Sequence, residues 1–266
     1  MSGFFNVSEK FYSIQGEGVT VGMPAYFMRL QSCNLCCGGP KASLLKAGKA
    51  TWYCDTEPVW RQGTKQTFDQ VIADWKEEGV YQRILNGQIN VIWTGGEPTL
   101  PKHRKAIKQF CDYIKLTEPA SFMVNEIETN GTLDWEIEGF YFNKEVKEVP
   151  GCIHACIHQV NCSPKLANSG MDAALRINPK AIQMVKNHHN GWFKFVISTE
   201  EDIKEFEDEF IKPFDIPASR VIIMPGVDNL ADLPERTKFL FEMTKKYGYR
   251  GITRQHILAW NKTTGC

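Results

Sequence analysis

Asn90 to Pro98 read NVIWTGGEP. Val91, Ile92 and Trp93 are β-prone and apolar, and they run without a break into Thr94, Gly95, Gly96, Glu97 and Pro98. Two residues without side chains at a strand end let a ligand lie directly on backbone N–H and C=O groups. A Gly-Gly pair by itself is an ordinary turn, so its surroundings decide its meaning.

Outward from this stretch, similar runs recur near Ala25 to Leu30, Ile89 to Trp93, Phe122 to Ile127, Ile157 to Cys162, Phe193 to Ile197 and Val221 to Met224. Amphipathic segments separate them. Phe68 to Glu78 places Val71, Ile72 and Trp75 on one helical face behind a Thr67 N-cap. The same logic predicts helices from about Lys102 to Leu116, Pro179 to His188, Glu200 to Ile211 and Asp232 to Tyr247. Strands alternating with helices around a mostly parallel sheet make an α/β fold, here six units of an open or partial barrel. In such folds the loops leaving the C-terminal strand ends carry the chemistry. A single domain over residues 1–266 is expected, with insertions at about 38–52 and 135–156.

The 31 basic residues balance 31 acidic ones, so no global field favours nucleic acid or a membrane surface, and a small substrate is expected. The N-terminal MSGFFNVSEKFYS lacks the basic and apolar segments of a signal peptide, and no run of 18 apolar residues occurs. A soluble, cytoplasmic protein is the expectation. In a reducing compartment its nine cysteines read as metal ligands, reactive thiols or core packing before disulfides.

Cys33, Cys36 and Cys37 follow the strand ending RLQ, and Cys54 stands in WYCDT after a Gly- and Lys-rich stretch. Three thiols converging on a loop suit iron–sulfur or zinc with one coordination position open. Zinc completed by a histidine, or thiols that only pack, are the competing readings. Lys41, Lys46 and Lys49 of the intervening insert are expected on a solvated loop, with partner or substrate access as the lesser alternative.

The cysteine loop, the TGGEP strand end, YSIQGEG (Tyr12 to Gly18), GMPAYFMRLQSCNL (Gly22 to Leu35), CDT (Cys54 to Thr56), ETNGT (Glu128 to Thr132), SPK (Ser163 to Lys165) and a C-terminal Gln255-His256 occur in order along the chain. Together they resemble the radical S-adenosylmethionine enzymes, and more narrowly the 7-carboxy-7-deazaguanine synthase family. The resemblance implies a partial, open (β/α)6-type TIM barrel of the radical SAM kind. It also implies a [4Fe–4S] cluster on Cys33, Cys37 and Cys54, whose open iron binds S-adenosylmethionine and generates a 5′-deoxyadenosyl radical. That radical would open the ring contraction of 6-carboxy-5,6,7,8-tetrahydropterin to 7-carboxy-7-deazaguanine, with loss of ammonia, in deazapurine (queuosine-type) biosynthesis. The family pattern selects Cys37 over Cys36. Its third cysteine normally follows closely, whereas sixteen residues separate Cys37 from Cys54 here.

By the same resemblance, Ile14, Gln15, Gly16, Glu17, Arg29, Thr94, His256 and the terminal carboxylate of Cys266 face the substrate. A carboxylated substrate needs a fork of fixed donors, which Arg29 can supply. Tyr53, Cys54, Asp55, Gly96, Glu97, Glu128, Asn130, Ser163, Pro164 and Lys165 are the positions that match cofactor contacts, with Lys194 at the same cleft. Thr56 would ligate Mg²⁺ alongside substrate oxygens. An electron donor such as a flavodoxin or ferredoxin and a homodimer are implied; nucleic acid and membrane are not.

Cys152, His154, Cys156, His158 and Cys162 in CIHACIHQVNC have metal-ligand chemistry, but their spacing fits no zinc pattern and their alternation also reads as a strand. Two rival functions stay open: another radical enzyme, such as a radical activase, and a non-enzymatic zinc-binding protein.

Overall fold

The computed structural model describes residues 3–135, 156–263 and 265. Nine strands form one sheet: β1 (Phe4–Ile14), β2 (Pro24–Leu30), β3 (Thr64–Thr67), β4 (Asn90–Gly95), β5 (Asn125–Thr129), β6 (Gln159–Cys162), β7 (Gly191–Ile197), β8 (Val221–Pro225) and β9 (Arg250–Gly251). Their order is β3-β1-β2-β4-β5-β6-β7-β8-β9, with parallel pairing from β2 to β9 and antiparallel pairing of β1 to both neighbours. The sheet is open rather than closed on itself.

The six expected strands are β2, β4, β5, β6, β7 and β8, with β5 starting at Asn125 instead of Phe122 and β6 at Gln159 instead of Ile157. β1 escapes a periodicity reading because its register shifts between Val7 and Glu9, which breaks the two-residue alternation. β3, TKQT, is a polar edge strand, and β9 has only two residues.

Alternation elsewhere separates two faces. Tyr26, Met28, Leu30, Val91, Trp93, Ile127, Val160, Cys162, Phe193, Phe195, Ile197, Val221 and Ile223 enter the large apolar core beneath the helices. The helix Phe68–Glu77 starts in the capping box made by Thr67 and Gln70 and buries Phe68, Val71, Ile72 and Trp75. The helix Pro101–Thr117 adds Phe110, whose ring lies 5.1 Å from Phe68 and edge-on to Trp93 at 5.9 Å. Pro179–Asn187, capped by Asn178, Glu200–Phe206 with its π-helical extension Glu207–Ile211, and Leu233–Tyr247 complete this layer. No helix among the described residues is long and apolar enough to cross a membrane.

The other face is polar where it crosses β4 to β7. Asn90, Thr94, Glu126, Glu128, Gln159, Asn161 and Lys194 lie on it, and several are fully buried. Burying so many polar groups is tolerated only if they are partnered. Much of the partnering comes from the turn between β1 and β2, which folds across this face. Thr20 Oγ1 donates to Glu126 Oε2 at 2.8 Å, Gln15 Nε2 to Glu128 Oε1 at 2.9 Å, and Gly18 leaves no room for a side chain against Asn161.

Candidate functional site

The glycines of TGGEP serve backbone contact before any ligand. A side chain on Gly96 would put its Cβ 1.7 Å from the Ser32 carbonyl oxygen, and one on Gly95 2.4 Å from Leu30 N. Gly95 also has φ +105°, a conformation other residues rarely adopt. The Gly96 N–H donates to Leu30 O and the Glu97 N–H to Ser32 O, both at 2.9 Å. The strand end thus grips the backbone that carries Cys33.

Glu97 is 1% exposed. Its Oε1 accepts from the Thr99 N–H, the Thr99 hydroxyl and the Thr129 hydroxyl, and its Oε2 accepts from the Asn130 N–H. Burial raises its pKa, and these donors pull it back in part. With four donors on it, the carboxylate braces the end of β4 to the end of β5. The brace aims Asn130, whose Nδ2 donates to Asn34 Oδ1 at 3.0 Å and lies 3.9 Å from Cys33 Sγ.

The cysteine loop closes on itself where the Cys54 N–H donates to Cys37 O at 3.2 Å. Burial, the Glu97 charge and the thiols of Cys37 and Cys54 push Cys33 up to about 12. Burial also pushes Cys37 up to about 11 against the charge of Lys165. Cys33 lies in the fields of Cys37 and Cys54, Cys37 in those of Cys54 and Cys36, and Cys36 beside Glu57, Arg61 and Cys54, with Arg61 Nη2 4.0 Å from its sulfur. Among the described residues no three His, Cys, Asp or Glu side chains are drawn tightly enough to hold a single metal ion. Cys33, Cys37 and Cys54 are soft sulfur donors of the type that an iron–sulfur cluster takes.

The insert between Cys37 and Cys54 is more ordered than a solvated loop. Gly38 N–H donates to Ser169 O at 2.8 Å, Thr51 N–H to Asn168 O at 2.9 Å, and Trp52 Nε1 to Asn168 Oδ1 at 2.8 Å. Lys41, Lys46 and Lys49 stay exposed on it. Lys41, Lys46, Tyr53, Glu57 and Arg61 line a groove of about 430 Å³ beside the loop. Tyr53 donates its hydroxyl to Glu57. Thr56 Oγ1 lies 3.3 Å from Cys54 Sγ and 3.5 Å from Gly95 O. Ser163, whose N–H donates to Thr129 O, Pro164 and Lys165 follow β6 at the same strand-end level, and Lys165 extends over Trp52.

The expected substrate residues also assemble. Arg29 is the register partner of Thr94. Arg29 donates to Glu9 Oε2 at 2.7 Å and lies over the Phe11 ring, so the strand around it is half-buried rather than fully so. Gly16 packs against His256, and the Gln255 N–H donates to Gly16 O at 3.1 Å. Gln255 and His256 open a helix, Gln255–Trp260. Ile14 ends β1 beside this turn. Cys266 lies outside the described residues.

Glu17 is the centre of the electrostatics. Lys194 Nζ donates to its Oε2 at 2.6 Å, and Arg254 Nε donates to its Oε1 at 2.8 Å; Glu128 is a second anion 4.0 Å from Lys194. Burial alone would raise Glu17, but Lys194, Arg254 and His256 hold it well below the usual carboxylate range. Arg254 and the Glu126–Asn161 pair are the site residues that sequence reasoning missed. A signal existed for Glu126: in NEIET it shares a strand face with Glu128, and two carboxylates on one face of a buried strand demand partners.

The second Cys/His group does not gather. Cys152 and His154 lie outside the described residues. Cys156 packs against Cys111 in the core, His158 Nδ1 accepts the Asn125 N–H at 3.0 Å, and Cys162 is fully buried. Among the described residues of that stretch, Gln159–Cys162 form a strand.

No family model matches the chain. A 7-carboxy-7-deazaguanine synthase of Pyrobaculum aerophilum is 28% identical over 265 residues, covering 97% of this chain and 96% of that protein. A protein of the same name from Halobacterium salinarum is 26% identical, covering 96% and 90%. The crystal structure of QueE from Escherichia coli superposes with a TM-score of 0.56 at 19% identity, covering 94% of this chain and 93% of that one, which supports the open α/β fold. The relatives that match over nearly the whole chain share one name, 7-carboxy-7-deazaguanine synthase, and the chain is similar to them from end to end.

Proposed function

We propose that this protein contracts the ring of 6-carboxy-5,6,7,8-tetrahydropterin to 7-carboxy-7-deazaguanine with release of ammonia. The observation that carries the reading is convergence. Cys33, Cys37 and Cys54, the Gln15–Glu17 turn, the Arg29–Thr94 pair and His256 all lie at or beside the polar sheet face and its strand ends. Cys33, Cys37 and Cys54 would hold the [4Fe–4S] cluster, and Asn130, Ser163 and Lys165 stand at strand ends where S-adenosylmethionine would bind. Bound there, the two supply one-electron chemistry that removes a substrate hydrogen.

The chain's own residues orient the pterin. Arg29 offers N–H donors to the substrate carboxylate and Thr94 a hydroxyl beside it. Gln15 and Glu17 present a donor and an acceptor to the ring edge. Glu17 stays ionised because Lys194 and Arg254 hold it so. Thr56 would ligate Mg²⁺ with substrate oxygens. The protein works as a cytoplasmic homodimer, and an acidic carrier such as a flavodoxin or ferredoxin delivers the electron, for which the Lys41, Lys46 and Arg61 rim of the groove is complementary.

Anaerobic reconstitution with iron and sulfide, followed by S-adenosylmethionine, dithionite and the carboxytetrahydropterin, tests the reading. Formation of 7-carboxy-7-deazaguanine is expected. Cofactor cleavage without it would instead favour a radical enzyme with another substrate.

In the same assay Gly96→Ala is expected to lose about 100-fold in rate, the cost of a displacement of roughly 1 Å at a reacting centre. The added methyl meets backbone, which cannot rotate away as a side chain would. A rate within threefold of wild type would show that the cysteine loop accommodates it.

A further inference from the structure

Arg254 joins three parts of the chain that are far apart in sequence. Its Nε donates to Glu17 Oε1 at 2.8 Å, its Nη2 donates to Asp55 Oδ2 at 3.2 Å, and its Nη1 donates to Val227 O. The side chain is only 15% exposed, whereas Asp55 is 61% exposed. Glu17 belongs to the turn that packs on His256, and Asp55 follows the last cysteine of the loop. Val227 anchors the other end, packing with Leu233 and Ile257 to fix the helix that carries His256. A guanidinium is planar, so its separate N–H edges hold Glu17 and Asp55 in one fixed relative geometry. Lysine, a single point charge, cannot face both carboxylates in this way.

We infer that Arg254 is a positioning residue that couples the substrate turn, through Glu17, to the cofactor loop, through Asp55, so that filling either side preorganises the other. The inference rests on the functional reading above and assigns to that site a cooperativity between its two ligands. Coupling of this kind is reciprocal: whatever factor the cofactor adds to substrate affinity, the substrate adds to cofactor affinity.

The test is equilibrium binding without reductant, so that no turnover occurs. The reconstituted full-length protein is titrated with 6-carboxy-5,6,7,8-tetrahydropterin in the absence and presence of saturating S-adenosylmethionine. Wild type is expected to bind the pterin about tenfold more tightly with the cofactor present, within the usual range for such coupling. In Arg254→Lys and in Asp55→Ala that ratio is expected to fall to about one, and the double variant should lose nothing further. Melting temperatures accompany each titration. Asp55 is mostly exposed, so D55A removes the link while leaving the Arg254–Glu17 pair in place. A coupling ratio that survives in both single variants, or is already absent in wild type, overturns the assignment. If wild type binds no pterin at all, the functional reading fails and the coupling fails with it, whereas binding without coupling sinks the coupling alone.

Discussion

Cys37→Ala is expected to leave the reconstituted protein without its iron–sulfur absorbance and to lower product formation by about 1000-fold or more, a loss of about 4 kcal/mol of transition-state stabilisation. Cys36→Ala, one residue away, is expected to keep both. The contrast follows from where the two thiols face. Cys37 is 5% exposed, its carbonyl receives the Cys54 N–H, and its thiol lies in the fields of Cys54 and Lys165. Cys36 turns outward to the Arg61–Glu57 pair. Cys33 reports the same geometry, since the thiol charges that act on it are those of Cys37 and Cys54. Iron and sulfide content with visible absorption reads the result directly. Loss of the cluster in the Cys36 variant and its survival in the Cys37 variant would reverse the ligand register.

How much of this was legible beforehand depends on what kind of physics fixed each part. β8, VIIMP, declares itself as a short apolar run because both of its faces are covered and no polar residue interrupts it, and β2 and β4 do so through the apolar stretches AYFM and VIW. β1 does not, because a register shift in mid-strand moves its side chains between faces. The cysteine loop and the Gly-Gly strand end are visible because thiols and paired glycines are rare enough to carry meaning together. Their working relationship is not visible: that Gly96 lies against Ser32, and that the Glu97 carboxylate takes donors from Thr129 and Asn130, depends on approaches between segments more than 30 positions apart. Arg254 shows the limit most clearly. In TRQH it looks like a surface cation, and only the fold brings Glu17, Asp55 and Val227 to it.

The buried pair at the centre of the cleft makes the second large prediction. Lys194 is 5% exposed and Glu17 14%. Lys194→Met is expected to destabilise the protein by about 3–5 kcal/mol, because removing one partner leaves the other charge buried without full compensation. Adding Glu17→Gln should restore part of that loss, since a neutral pair carries no stranded charge. The pH dependence has a definite sign. Burial would raise Glu17, but Lys194 and Arg254 lower it more, so its contribution is present above the ordinary carboxyl value of 4.5 and is lost as pH falls through the depressed folded value. Burial would lower Lys194, but Glu128 and Glu17 raise it more, so its contribution is present below 10.5 and is lost as pH rises through the raised value. Between those limits the pair's contribution is flat. Urea midpoints of the full-length chain, measured from about pH 8 down to about pH 3, should therefore show the gap between wild type and the Lys194→Met, Glu17→Gln double variant narrowing only at the acid end. A gap that stays constant to the lowest pH would mean that neither Lys194 nor Arg254 holds Glu17 below its ordinary value in the folded protein.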